Sequence, residues 1–211
     1  MRFTYPRPGG PTTPVGLTQR LLPPDSHGER RLALDVRWNV FLAACGLLAV
    51  PLPLEPELAD ATLERSGCAG VILTGGNDPA ALGGDAVERD VLEEHLIRRA
   101  AARSTPLLGV CRGMLMILRV HGAELSRVEG HVATRHRLTG DHAGRVVNSY
   151  HSWACREAPP AFEVTARSGP LVEAVRLPGT RIAAMMWHPE RADTPDPADI
   201  TLLDDMFRED S

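Results

Sequence analysis

Three short stretches carry residue types that could do chemistry together. Leu107-Leu-Gly-Val-Cys-Arg-Gly-Met sets a cysteine between a strand-like apolar run and a helix-like one, with glycine two residues to either side. This is the thiol counterpart of the G-x-S-x-G nucleophile elbow, in which the nucleophile occupies a tight, strained turn. Cys111 would head the following helix, where free N–H groups and the helix dipole favour thiolate. A lone cysteine between strand and helix is more often a core residue, but Gly109 and Gly113 together argue for the elbow. A thiolate needs a base, and the base needs an orienter. Met185-Met-Trp-His-Pro-Glu offers both, because residues i and i+2 of an extended chain point to one side. His188 would exchange a proton with Cys111 while Glu190 holds the imidazole tautomer. The third stretch is Gly75-Gly76-Asn77-Asp78. Backbone N–H groups of Gly76 or Asn77, with that of Arg112, would form an oxyanion hole, and Gly75 would let the backbone approach a substrate.

These residues need elements to carry them. Apolar runs over 15–18, 47–52, 70–74 and 105–110 read as buried strands. Helical spacing covers 29–45, 58–67, 87–103, 112–121 and 197–208. Shorter strands are expected over 128–138, 146–149, 162–166 and 182–187. Plain apolar strands alternating with helices predict an α/β fold, a doubly wound, mostly parallel sheet sandwiched by helices. Ligands of such sheets sit at the strands' carboxyl ends, where all three stretches fall. Residues 1–14 read as a flexible arm and 15–211 as a single domain.

Composition narrows the chemistry. All 23 basic residues of the 211 are arginine. Schiff-base lysine chemistry, a lysine general base and a phosphate-loop lysine are thereby excluded. A net charge of −4 gives no global field for nucleic acid. The most apolar stretch, 40–54, contains Gly46, Pro51 and Pro53 and falls short of a membrane span. The first 14 residues, broken by prolines and glycines, do not read as a secretory leader, so a cytoplasmic location is expected. Cys45, Cys68, Cys111 and Cys155 lack metal-ligand spacing, and His131, His136 and His142 lie irregularly in a polar segment. Neither metal nor cofactor is expected.

Taken in order, Val15-Gly-Leu-Thr-Gln-Arg, Gly70-Val-Ile-Leu-Thr-Gly-Gly-Asn-Asp, Arg89-Asp-Val-Leu-Glu, Gly109-Val-Cys-Arg-Gly-Met, Val147-Asn-Ser-Tyr-His and Trp187-His-Pro-Glu resemble the class I glutamine amidotransferase superfamily, within it the standalone γ-glutamyl hydrolase branch. The resemblance implies a flavodoxin-like sandwich and a Cys111–His188–Glu190 triad. It further implies an oxyanion hole from Gly76, Asn77 and Arg112, and substrate contacts from Gly75 and the segment Tyr150, His151, Ser152 and Trp153. At Leu115 the sequence departs from the family, which usually carries Gln there to help hold the glutamyl group. The implied reaction is hydrolysis of a small-molecule γ-glutamyl amide through a Cys111 thioester. A glutaminase subunit feeding ammonia to a separate synthetase chain is the alternative, and a silent binding module a third reading. A second copy of the chain is another partner left open. Gln19, Arg20, Arg37, Trp38 and Trp153 are candidates for the leaving-group side. With lysine absent, an anionic substrate group would have to be met by Arg or protonated His.

Overall fold

The computed structural model describes residues 12–208. In chain order the first half contains β1 (Thr13–Leu17), β2 (Arg20–Leu21), β3 (Leu32–Ala33), α1 (Arg37–Ala44), β4 (Leu47–Pro51), α2 (Pro56–Arg65), β5 (Val71–Leu73), α3 (Val87–Arg103), β6 (Leu107–Val110) and α4 (Arg112–Val120). The second half is richer in strands: β7 (Leu125–Arg127), β8 (Val132–Arg137), β9 (Thr139–Gly140), β10 (Val146–Tyr150), β11 (Trp153–Cys155), β12 (Glu163–Ser168), β13 (Leu171–Leu177) and β14 (Ile182–Met185), closed by α5 (Pro197–Phe207).

Eight strands form one sheet in the order β4-β1-β5-β6-β14-β13-β12-β9. The pairings from β4 through β14 are parallel and those beyond it antiparallel. Alternation along the buried strands divides the core. Val71, Leu73 and Leu107 pack with α2, α3 and α4, whereas Ile72, Leu108 and Val110 pack with α1 and α5 on the other face. The expected α/β sandwich is the observed one.

The register decides where the chemistry lies. β6 runs between β5 and β14, pairing Gly109 with Leu73 on one side and Ala184 on the other. The chain therefore leaves three adjacent strands into Gly75-Gly76, Cys111 and His188. Among the described residues, no helix is long and apolar enough to cross a membrane.

Several expected boundaries shift. Residues 1–11 of the expected arm lie outside the described residues, and Thr13 and Pro14 already belong to β1. The helix expected over 29–45 begins only at Arg37, whose N–H donates to the Asp35 carboxylate at 3.0 Å. Residues 32–33 pair with 20–21 instead, because the apolar spacing that suggested a helix serves a short hairpin. β13 was not expected, since Glu173 interrupts its apolar run, yet the residues from Leu171 to Val175 are all buried. The strand expected over 128–138 starts at Val132, after a turn at Gly130 with positive φ.

Candidate functional site

Cys111 has φ +53° and ψ −104°, a combination L-residues rarely adopt. Packing enforces it. A Cβ on Gly113 would be driven into the Leu73 carbonyl, and one on Gly109 would lie 2.6 Å from Ile117 Cδ1. These two glycines let α4 start flush against the ends of β5 and β6. The Cys111 N–H donates to the Met185 carbonyl at 2.8 Å, locking the elbow to β14.

The same strand end presents His188. Its backbone is clamped by one side chain: Asn148 Oδ1 accepts from the His188 N–H at 2.9 Å, and Asn148 Nδ2 donates to the His188 carbonyl at 2.8 Å. The imidazole Nδ1 meets Glu190 Oε1 at 2.8 Å, and both side chains are buried. Against burial, which disfavours its charged form, the Cys111 sulfur and the Glu190 carboxylate raise His188 to about 9. Tyr150 packs edge-on against the ring, with centroids 5.8 Å apart. Gly75 must lack a side chain, because a Cβ there would stand 2.5 Å from His188 Cε1.

The Gly75–Asn77 turn is tied down from two sides. Asn77 exchanges hydrogen bonds with the Leu21 backbone at 3.0 and 2.9 Å. Arg89, wholly buried, donates to the Thr74 and Gly76 carbonyls at 2.7 and 3.3 Å. Its Nε reaches Glu93 Oε1 at 2.9 Å, and Glu93 and Asp90 both pair with Arg112. A buried ionic network thus joins the turn, α3 and the first residue of α4. Among the described residues, the N–H groups of Gly76, Asn77 and Arg112 have no hydrogen-bond acceptor.

Cys111, Arg112, Leu115, Asn77, His188 and the Tyr150–Trp153 segment wall a cavity of about 370 Å³. A second, of about 250 Å³, adjoins it, sharing Arg20, Gly76, His188 and Arg191 and adding Asp35, Trp38 and Glu190. These spaces bring together twelve residues singled out in the sequence: Cys111, His188, Glu190, Gly75, Gly76, Asn77, Arg112, Leu115, Tyr150, His151, Ser152 and Trp153. Of the leaving-group candidates, Arg20, Trp38 and Trp153 line them. Gln19 instead donates to the Leu52 carbonyl at 3.0 Å, and Arg37 is held by Asp35.

The sequence model of glutamine amidotransferase class-I matches residues 44–209. The chain belongs to this family. Among its relatives, a gamma-glutamyl-CDP-amidate hydrolase of Campylobacter jejuni is 30% identical over 181 residues, covering 84% of this chain and 90% of the relative. A gamma-glutamyl-gamma-aminobutyrate hydrolase of Escherichia coli is 28% identical over 198 residues, covering 72% and 76%. The crystal structure of a glutamine amidotransferase from Thermotoga maritima superposes with a TM-score of 0.62 at 17% identity, over 84% of this chain and 76% of the other.

The site also contains features that its sequence does not mark. Asn148 sits on β10, and nothing local in the sequence marks it as the clamp on His188. Arg191 stacks over Tyr150, its Cζ 4.6 Å from the ring centre, beside the cavity. Arg89 and Glu93, from the family-like segment Arg89-Asp-Val-Leu-Glu, form an i,i+4 pair whose full burial the sequence does not reveal. Two groups expected near a substrate are engaged internally. The His151 N–H donates to the His131 carbonyl at 3.2 Å, and the Ser152 carbonyl accepts from the Val128 N–H at 2.9 Å. The remaining cysteines are insulated: burial pushes Cys45 up to about 12, Cys68 up to about 11 and Cys155 upward. Burial likewise lowers His131, His136 and His142.

Proposed function

We propose that this chain hydrolyses the γ-amide bond of a γ-glutamyl compound, with Cys111 as nucleophile. The observation that carries the reading is the strained elbow, which holds Cys111 against an imidazole whose far nitrogen is fixed by Glu190 at 2.8 Å. With its proton held by His188, the Cys111 sulfur attacks the γ-carbonyl carbon as a thiolate, and the carbonyl oxygen takes the negative charge, facing the uncommitted N–H groups of Gly76, Asn77 and Arg112. His188 gives its proton to the departing nitrogen as the C–N bond breaks, leaving a glutamyl thioester and the free amine. His188 then takes a proton from water, whose oxygen attacks the thioester carbonyl. The C–S bond breaks, glutamate leaves, and the Cys111 thiolate beside the His188 imidazolium is restored.

The walls support a choice of substrate. Leu115, buried, presents hydrocarbon where the related enzymes usually carry Gln, so recognition of the glutamyl group falls to the neighbouring backbone and to the arginines. Arg20 and Arg191, shared by both cavities, suit a leaving group bearing carboxylate or phosphate, which guanidinium binds bidentately. Purified chain is incubated with γ-glutamyl amides of neutral, carboxylate-bearing and phosphate-bearing amines, alongside free glutamine. Glutamate release is expected from an anionic member of the panel and is lost in Cys111→Ala. Release from none of them, or an active Cys111→Ala, overturns the proposal. Glutamine turnover only in the presence of a co-purified chain would instead favour an ammonia-delivering subunit.

A further inference from the structure

Behind the Tyr150–Trp153 wall, and not used by the proposed reaction, four ligand-type side chains converge. His131 lies just before β8, His136 within it, His151 between β10 and β11, and Glu173 at the centre of β13. One donor atom from each lies within 4.8 Å of all the others. His151 and Glu173 are 3% and 1% exposed. Their hydrogen bonding is incomplete in an informative way. His151 Nδ1 lies 3.1 Å from the Trp153 carbonyl, an acceptor only, so this nitrogen carries the hydrogen. In the neutral ring Nε2 then presents a lone pair, and it faces Glu173 Oε1 across 3.6 Å. Among the described residues, neither atom has a hydrogen-bond partner. A lone pair opposite a buried carboxylate oxygen calls for a cation between them, and the gap is too long for a shared proton.

His131 and His136 complete the set. Their Nδ1 and Nε2 atoms share a hydrogen bond at 3.0 Å, which a bound cation would replace. Tetrahedral zinc bonded at about 2.0–2.1 Å needs ligand atoms roughly 3.3 Å apart, so the 3.0 Å pair would open slightly and the longer separations, up to 4.8 Å, would close. We propose that His131, His136, His151 and Glu173 form a divalent metal site for Zn²⁺. Three imidazoles and one carboxylate suit zinc rather than the oxygen-seeking calcium or magnesium. The orientation of His151 by a backbone carbonyl is the usual second contact of a metal-bound histidine. The site is structural in placement. It ties the β8–β10 ribbon and the chain entering β11 to the central sheet, and so braces one wall of the Cys111 cavity.

Because Cys111 and His188 could bind zinc themselves, the test uses tag-free, full-length chain carrying Cys111→Ala, stripped of metal and titrated with Zn²⁺ alone. One zinc per chain is expected, with a rise in thermal midpoint. Co²⁺ should give visible d–d bands of tetrahedral strength and no thiolate charge-transfer band. Adding His136→Ala or Glu173→Gln should weaken binding by at least the roughly 10–100-fold carried by lesser contacts of such sites. Should either variant fail to fold by circular dichroism, His131→Ala, on a partly exposed loop, takes its place. Absence of stoichiometric zinc in the Cys111→Ala chain, a thiolate band with Co²⁺, or affinity untouched by the folded variants overturns the site.

Discussion

His188 governs the charge of the site, because two partners of opposite tendency to burial converge on it. The buried ring would shed its proton readily were it not facing Cys111 sulfur and the Glu190 carboxylate, which together raise it to about 9. At neutral pH it is therefore an imidazolium beside sulfur, while Cys45, Cys68 and Cys155 are kept as thiols by burial. Iodoacetamide near pH 7 should accordingly label Cys111 alone, as peptide mass mapping after brief exposure would report. Labelling spread evenly over several cysteines would contradict this. Glu190→Gln keeps the shape but withdraws the carboxylate, so His188 loses its orienter and part of its positive bias. In the proposed reaction kcat should fall by about 10⁴-fold, as with orienting carboxylates of other triads. The His188 midpoint, followed by NMR, should also drop below about 9.

Elements place these side chains, and only some of that placement can be read from the letters. Strand–Gly–x–Cys–x–Gly–helix is legible because each glycine answers a steric demand that the structure displays. Gly113→Ala tests that demand: its methyl meets the Leu73 carbonyl, a backbone atom at the end of β5 that cannot swing aside. The expected cost is about 3 kcal/mol, at the upper end for overpacking, measured by denaturant unfolding. An unchanged midpoint would mean that β5 and α4 are not held as described. His-Pro-Glu was legible as an imidazole and a carboxylate two residues apart, although Glu190 reaches the ring from a 3-10 turn over Pro189–Arg191 and not along an extended strand. What stayed hidden depended on partners distant in sequence. Glu173 interrupts the apolar run of β13, so neither the strand nor its meeting with His131, His136 and His151 could be inferred from spacing. Arg89 and Glu93 have the spacing of a surface pair, and only the approach of α4 and Arg112 makes them a buried network. The start of α1 moved for a local reason, since pairing of 20–21 with 32–33 outcompeted helix and Asp35 captured Arg37.

For the whole molecule the missing lysine has a consequence in its response to alkali. Lysines ordinarily titrate near 10.4, while exposed arginine stays charged, so the exposed arginine ion pairs of this chain persist across the alkaline range, whereas burial lowers Arg89 to about 10. Other groups then shape the stability curve, and their signs differ. Burial lowers His131, His136 and His142. The unfolded chain therefore takes up their protons first, and stability climbs as pH rises towards 6.5. His188 acts in the opposite sense: the unfolded ring loses its proton near 6.5, whereas the folded one keeps it to about 9. Its contribution is complete below 6.5 and is lost as pH rises through about 9. Beyond that, Cys45 and Cys68 remain protonated in the fold to about 12 and 11 while the unfolded thiols ionise from about 9, so stability falls again. Thermal midpoints in metal-free buffer should accordingly peak near pH 6.5 and decline to pH 9 and above. In His188→Gln the slope between 6.5 and 9 should flatten, whatever the variant's overall stability, while the fall above 9 persists. An identical slope in both proteins over that window would remove His188 from its role in the charge balance.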